Sequence, residues 1–156
     1  MLELYTDGAV SCNGRTDAVG SWAFVVVKDD KIIIQDSKKI KGITNQQAEL
    51  LAAIEGIKAV QCLQRNSPIY LMDKITVYSD SAYLINCYKE EWYKKWELNG
   101  WISSTRVAVL NRNLWEQLLP SFKSARITFK KVKGHDTDKY NIYVDKLAVA
   151  ARLKGE

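Results

Sequence analysis

Four acidic residues able to bind divalent cations are spread along the chain, each in or beside an apolar stretch. A buried carboxylate destabilises a fold unless something neutralises it, so packing alone does not explain acids in these places. If the four converge, hard cations such as Mg²⁺ or Mn²⁺ would relieve their repulsion, because these ions prefer oxygen ligands. The residues are Asp7 in LYTDGAV, Glu49 in TNQQAELLAA, Asp80 in TVYSDSAYL and Asp145 in NIYVDKLAVAA.

A cluster of this kind suits the hydrolysis of a phosphodiester, since two cations about 4 Å apart can clamp it during in-line attack by water. Each acid taken alone also has a structural interpretation. Asp7 before Gly8 is typical of a turn, and we place Glu49 in the first turn of a helix, where the helix dipole favours an anion. The residues by themselves leave both interpretations open.

The elements that must position these acids alternate in a pattern typical of an α/β fold. Hairpin strands followed by β/α units predict a five-stranded mixed sheet flanked by helices, in one domain over residues 1–156. The predicted strands are Leu2–Tyr5 (ended by an Asp7-Gly8 turn), Gly20–Lys28, Lys31–Asp36, Ile75–Tyr78 and Arg126–Val132. Helices are predicted after a cap at Thr44 or Asn45, over 81–89, within 92–101, over about 113–122 and from about Ile142. Residues 64–72 are predicted to form a loop.

Composition and charge narrow the class of protein. The chain has 156 residues, 47% apolar and 26% charged, which is ordinary for a globular domain. Neither an apolar run of membrane-spanning length nor a secretory signal is visible, so we expect a cytoplasmic protein whose Cys12, Cys62 and Cys87 are reduced and mostly buried. The net charge of +5 favours a polyanionic partner, with a solvated basic face as the alternative.

Six short motifs, in this order, make the chain resemble the type 1 ribonucleases H. They are YTDG with Asp7, TNQQAELLAA with Glu49, YSDSAYLI with Asp80, WELNGW, KGH with His135 and YVDKLA with Asp145. The resemblance covers nearly the whole chain. It implies a ribonuclease H-like fold and hydrolysis of the RNA strand of RNA–DNA hybrids with two Mg²⁺ ions, for which Mn²⁺ substitutes, leaving 5′-phosphate and 3′-hydroxyl ends.

The resemblance also implies a role for each residue. Asp7 would bridge both ions, Glu49 would hold one of them nearest the RNA 2′-hydroxyl, and Asp80 would lie near the attacking water. Asp145 would complete the other metal's shell beside the loop of His135, the single histidine, whose pKa suits it to assist proton transfer.

Residues that would read the hybrid follow from the same resemblance. Neutral polar side chains suit RNA 2′-hydroxyls, and flat aromatic rings suit deoxyribose. The RNA contacts would be Asn13, Asn45 and Gln46, the DNA-strand channel Tyr83 and Trp96 with Ser104, and the DNA-phosphate pocket Thr44 and Asn111. For both asparagines of the first set, turn and cap chemistry is the alternative. For Trp92 and Trp101 we expect core packing.

The segment 89–101, here called the handle, departs from the markedly basic form common in the family. Its lysines are balanced by Glu90, Glu91 and Glu97. We therefore expect modest affinity for the hybrid, with strong salt dependence.

Two alternative functions remain: an excised retroelement ribonuclease H domain, and an inert nucleic-acid-binding module on the same fold. The start at Met1 argues against the first alternative, and the four acids argue against the second, so we expect a standalone enzyme and a monomer. Nothing in the sequence resembles the separate hybrid-binding domain of some members.

Overall fold

The computed structural model describes residues 1–132 and 138–154, and it confirms an α/β fold with five strands. The strands are β1 (Leu2–Ser11), β2 (Val19–Lys28), β3 (Lys31–Lys41), β4 (Ile75–Ser79) and β5 (Ile127–Lys131). The α-helices are α1 (Asn45–Asn66), α2 (Ala82–Lys89), α3 (Trp92–Asn99), α4 (Arg112–Lys123) and α5 (Lys139–Leu153), with a 3₁₀ turn at Pro68–Tyr70.

The sheet is mixed, as the sequence predicts, with the strand order β3-β2-β1-β4-β5. The hairpin strands β1, β2 and β3 pair antiparallel, whereas β4 lies parallel to both β1 and β5. The central strand β1 therefore has a hairpin partner on one side and a crossover partner on the other. Ligand sites in open α/β sheets gather where the strand order reverses in this way.

Helices cover both faces of the sheet because the apolar side chains of its central strands point to both. In β2, Phe24 and Val26 belong to the larger core that includes residues of α1 and α4, while Val25 and Val27 face the smaller core formed with α5. Strand side chains alternate between faces, so a strand buried on both sides is continuously apolar. This double burial fixes α1 and α5 on opposite sides of β1.

The turn predicted at Asp7-Gly8 is wrong. Strand β1 continues to Ser11, because its antiparallel ladder with β2 runs on to the pair Ser11–Val19. Strand β3 likewise extends past Asp36 to Lys41. Asp7 is therefore a mid-strand residue with an exposed fraction of only 4%.

Two helices extend beyond their predicted bounds. Helix α1 begins as expected after Thr44 but reaches Asn66, and the 3₁₀ turn follows within the predicted 64–72 loop. Helix α5 begins at Lys139, since Asp138 caps it by accepting hydrogen bonds from the next backbone amides. The first turn of α1 contains no acidic residue, so the placement of Glu49 there is wrong, and Asp145 also lies deeper than the first turn of α5.

The cysteines and the tryptophans differ in how well burial was predicted. Only Cys87 is buried, whereas Cys12 and Cys62 are exposed, which corrects the expectation of mostly buried thiols. Trp101 is buried and Trp92 packs against the core while partly buried, as expected.

Within residues 1–132 and 138–154, no helix has the length and apolarity needed to cross a membrane. The cytoplasmic location and the monomeric state stay predictions.

Candidate active site

Three of the four acids meet at one point although they come from three different elements. Asp7 lies in β1, Glu49 in α1, and Asp80 directly after β4. Each offers a carboxylate oxygen, and these oxygens all lie within 4.8 Å of one another. Separations of this size allow shared coordination of a cation.

The register of β1 against β4 explains why Asp7 and Asp80 are neighbours. The two strands pair in parallel from Leu2–Ile75 to Tyr5–Tyr78, and the rings of this last pair stack with centroids 4.7 Å apart. Asp7 and Asp80 each follow the last pair by two residues. The strands no longer pair there, so the gap between them receives both carboxylates.

Glu49 reaches the same gap from α1. Its Oε1 accepts a hydrogen bond from the backbone N–H of Gly8, the residue after Asp7. The same amide is also 3.0 Å from Oδ1 of Asp7. One amide therefore serves two acids, which ties the helix to the strand at the site.

The electrostatics of this cluster are unfavourable for three free anions. Burial raises the pKa of Asp7, and the charges of Glu49 and Asp80 raise it further. Burial also raises the pKa of Glu49, with the charge of Asp80 as the next cause. Without a cation, the site therefore favours partial protonation of Asp7 and Glu49.

Asp145, the fourth acid, lies on the wall of the same cavity. Its carboxyl group is within hydrogen-bonding range of Asp7, and this contact also raises the Asp7 pKa. The cavity has a volume of about 430 Å³ and is open to solvent. Its other lining residues include Asn45, Gln46 and Tyr83, all predicted from the sequence to contact substrate.

The residues present fit hard divalent cations. All four candidate ligands are carboxylates, and oxygen ligands of this type suit Mg²⁺ or Mn²⁺ better than zinc. Cations would also remove the repulsion that raises the pKa values of Asp7 and Glu49. The electrostatics thus favour bound cations, and the oxygen donors favour hard ones.

Comparison with known proteins assigns the family. The RNase H family model matches residues 1–152. The chain belongs to the ribonuclease H family. A ribonuclease H from Caldanaerobacter subterraneus subsp. tengcongensis is 41% identical over 153 residues, which cover 95% of this chain and 88% of that protein. One from Caldicellulosiruptor saccharolyticus is 38% identical, covering 93% and 91%.

Solved ribonucleases H share the fold at lower identity. The solution structure of the PFV RNase H domain has a TM-score of 0.75 and 20% identity, covering 97% of this chain and 93% of that one. The crystal structure of LC11-RNase H1 in complex with RNA/DNA hybrid has a TM-score of 0.65 and 18% identity, covering 97% and 96%.

The predicted RNA-contacting residues lie together in this ribonuclease H. The side-chain Oδ1 of Asn13 accepts a hydrogen bond of 2.9 Å from the backbone N–H of Asn45. Asn13, Asn45 and Gln46 are all exposed, and the last two line the carboxylate cavity. The turn and cap chemistry considered for Asn13 is therefore present in part, because its carbonyl group ties the β1–β2 loop to α1.

The predicted DNA-strand residues fall into two groups. Trp96 and Ser104 line a second cavity, of about 410 Å³, together with Trp92 and Lys95. Tyr83 instead lines the carboxylate cavity. Trp115 connects the groups, since its ring lies 4.9 Å from that of Tyr83 and 5.6 Å from that of Trp96.

Thr44 and Asn111 are joined by a residue that the sequence reasoning missed. Gln47 receives a hydrogen bond from the Thr44 backbone N–H and donates one to Oδ1 of Asn111. The available signal was the capping-box spacing T-x-x-Q, which predicts the first bond but not the second.

The predicted role of His135 falls outside the described residues. His135 is one of residues 133–137, which the structure does not describe. The assisting role therefore stays a prediction.

Proposed function

We propose that this protein is an endoribonuclease that hydrolyses the RNA strand of RNA–DNA hybrids with two Mg²⁺ ions, leaving 5′-phosphate and 3′-hydroxyl ends. The convergence of Asp7, Glu49 and Asp80 within 4.8 Å is the observation that carries the proposal. Membership of the ribonuclease H family supports it, and two solved structures that share the fold, LC11-RNase H1 and a foamy viral protease–reverse transcriptase, are complexes with RNA/DNA hybrid.

The carboxylates would hold the ions, with Asp145 as the fourth ligand. When bound, two such ions supply a nucleophile at neutral pH and stabilise the charge of the leaving oxygen. The chain's own contribution is to fix the ligands: Asp7 by its place in the sheet, and Glu49 by its bond from Gly8. His135, we propose, assists departure of the 3′-oxygen by moving a proton.

Polar and aromatic residues around the two cavities would select the substrate. Asn13, Asn45 and Gln46 offer donors and acceptors to RNA 2′-hydroxyls, next to the carboxylates. Tyr83, Trp96 and Ser104 would contact the DNA strand, while Thr44 and Asn111 would bind its phosphate. Both strands must then match before the scissile phosphate reaches the cluster.

A cleavage assay on three labelled duplexes tests the proposal. RNA–DNA hybrid, duplex RNA and duplex DNA are each incubated with Mg²⁺, with Mn²⁺ or with chelator. We expect cutting of the hybrid's RNA strand alone, and only with metal. Asp80→Asn should nearly abolish it, whereas Asp36→Asn, an exposed acid on β3, should not. Metal-independent cutting, or equal cutting of duplex DNA, contradicts the proposal, and binding without cutting would favour the inert module.

A further inference from the structure

The side chain of Gln47 has a fixed orientation because one of its partners can only donate. The backbone N–H of Thr44 lies 3.1 Å from Oε1 of Gln47. The amide oxygen of Gln47 must therefore face Thr44, and its NH₂ group must face the other way. That group lies 3.2 Å from Oδ1 of Asn111, at the start of α4.

The orientation of the Gln47 amide fixes that of the Asn111 amide. Since Gln47 donates, Asn111 must present its oxygen to Gln47 and direct its NH₂ group away. One of these N–H groups donates to the hydroxyl of Tyr83 over 3.3 Å. Asn111 is also the N-cap residue of α4, yet its side chain makes no capping bond there. Its amide is thus committed to the contacts between helices.

The same chain of bonds fills the acceptor sites of Tyr83 and occupies the hydroxyl oxygen of Thr44. Trp115 Nε1–H, which can only donate, lies 3.1 Å from the Tyr83 hydroxyl and adds to the bond from Asn111. Thr44 Oγ1 accepts from the Gln47 backbone N–H over 3.2 Å. Within the described residues, each of Thr44, Asn111 and Tyr83 retains one proton without an acceptor, and three such donors suit an anion.

We propose that Gln47 is a positioning residue for the substrate. Its side chain holds Asn111 so that the NH₂ group of Asn111, and not the Asn111 side-chain oxygen, faces Tyr83 and the bound DNA phosphate. The inference rests on the proposed function, in which Thr44 and Asn111 bind that phosphate, and it adds the hydroxyl of Tyr83 as a neighbouring donor. Gln47 acts through Asn111 and need not touch the substrate.

The substitution Gln47→Glu separates this role from a structural one. The new carboxylate still accepts from the Thr44 N–H, so the cap of α1 is kept and the helix dipole favours the charge. It cannot donate to Asn111, whose amide must then reverse. The Asn111 oxygen then faces Tyr83, draws the Tyr83 hydroxyl proton to itself, and repels a phosphate.

Steady-state cleavage of the hybrid measures the effect. For Gln47→Glu we expect KM to rise roughly 10-fold or more, from the loss of hydrogen bonds to a charged group, with kcat and the melting temperature nearly unchanged. The matched control is Gln61→Glu, the same change at an exposed position further along α1, which should leave KM unaltered. Equal KM values for the two variants overturn the inference.

A double-mutant cycle with Asn111→Ala excludes simple charge repulsion. If Gln47 acts through the Asn111 amide, Gln47→Glu adds no further rise in KM to the Asn111→Ala protein. An undiminished additional rise means that the new charge repels substrate directly, and this result overturns the positioning role.

Hybrids with one neutral methylphosphonate in the DNA strand identify the phosphate. At one linkage we expect the wild-type and Gln47→Glu proteins to have the same KM; a difference that persists at every linkage contradicts the inference. The two proposals fail separately: a wild-type protein that does not cut hybrid refutes the proposed function, whereas cutting with a KM insensitive to Gln47→Glu refutes only the role of Gln47.

Discussion

Gly8 and Glu49 are joined by a hydrogen bond from the Gly8 backbone N–H to Oε1 of Glu49, where β1 and α1 approach each other closely. A Cβ atom on Gly8 would lie 2.7 Å from the Cβ and from the carbonyl carbon of Ala48. Real Cβ contacts of this length essentially do not occur, so the helix can stay here only if residue 8 is glycine. The position of Glu49 in the cluster thus depends on the absence of a Cβ atom at residue 8 of the neighbouring strand.

Gly8→Ala should therefore push α1 away from β1 and separate Glu49 from Asp7. We expect a loss of about 1 to 3 kcal/mol of unfolding free energy, as for other overpacked sites, and a larger loss of kcat than the stability change explains. Urea unfolding and hybrid cleavage measure the two effects. Ile127→Val, a buried change in β5 that costs about 1 kcal/mol, is the control and should keep activity. Full activity in Gly8→Ala would show that the close approach is not needed.

Without metal, the stability of the protein should fall as pH rises. Burial and neighbouring charges raise the folded-state pKa values of Asp7 and Glu49 above those of the unfolded chain, so the folded protein binds more protons. The contribution of these two groups to stability is full below about pH 4, the ordinary carboxyl range, and declines as pH rises toward the raised values. Urea unfolding in chelator at pH 5 and pH 8 measures this change, and equal stability at the two pH values would contradict it.

Asp7→Asn should stabilise the metal-free protein at pH 8 while abolishing cleavage. Each unit by which the pKa is raised corresponds to about 1.4 kcal/mol of lost stability at high pH, so we expect a gain of at least that size. At pH 5 the gain should be smaller, and adding Mg²⁺ should stabilise the wild type but not the variant. A destabilised Asp7→Asn protein at pH 8 would count against electrostatic repulsion in the cluster.

Asp145→Asn should weaken metal use more mildly than substitution of the other acids. Asp145 lines the cavity and contacts Asp7, but the tight group of oxygens consists of Asp7, Glu49 and Asp80. We expect the Mg²⁺ concentration for half-maximal activity to rise on the order of 10-fold, with activity recovered at high Mg²⁺. A Mg²⁺ titration of hybrid cleavage distinguishes this from Asp80→Asn, which should not recover.

His135→Ala should slow turnover without preventing binding. General acid–base groups typically contribute about 100-fold or more to rate, so kcat should fall by about 100-fold or more while KM changes little. The pH–rate profile should lose the limb that depends on proton transfer by this imidazole. Unchanged activity across the pH range would remove His135 from the mechanism.

Freeing the lysines that pair with acidic residues of the handle should strengthen binding. Lys94 is paired with Glu91, and Lys123 of α4 is paired with Glu97 at 2.9 Å. Glu91→Gln with Glu97→Gln should lower KM at low salt, and the slope of log affinity against log salt should steepen by about one for each lysine that reaches a phosphate. Glu55→Gln breaks the Glu55–Lys58 pair on α1 and is the matched control. If both changes act alike, the handle does not contact substrate.

Local signals in the sequence were enough to predict the order of the helices and strands and to identify the four acidic residues. Apolar periodicity and the cap at Thr44 predict α1, and the alternation of strand and helix signals predicts the mixed sheet. Element ends were less well predicted. The ladder from β2 carries β1 past Asp7 and Gly8, a tertiary contact that overrides the local turn preference of that pair.

The sequence by itself determined which chemistry is available: four carboxylates suited to hard cations, and polar and aromatic residues suited to a hybrid. Only the tertiary structure decided which of them meet. The parallel register of β1 and β4 places Asp7 beside Asp80, and the room left by Gly8 admits Glu49. Packing of α1 against α4 brings Gln47 to Asn111, residues far apart in the chain. Residue types and periodicities act over a few positions, whereas these contacts depend on strand register and interhelical packing, which no single segment encodes.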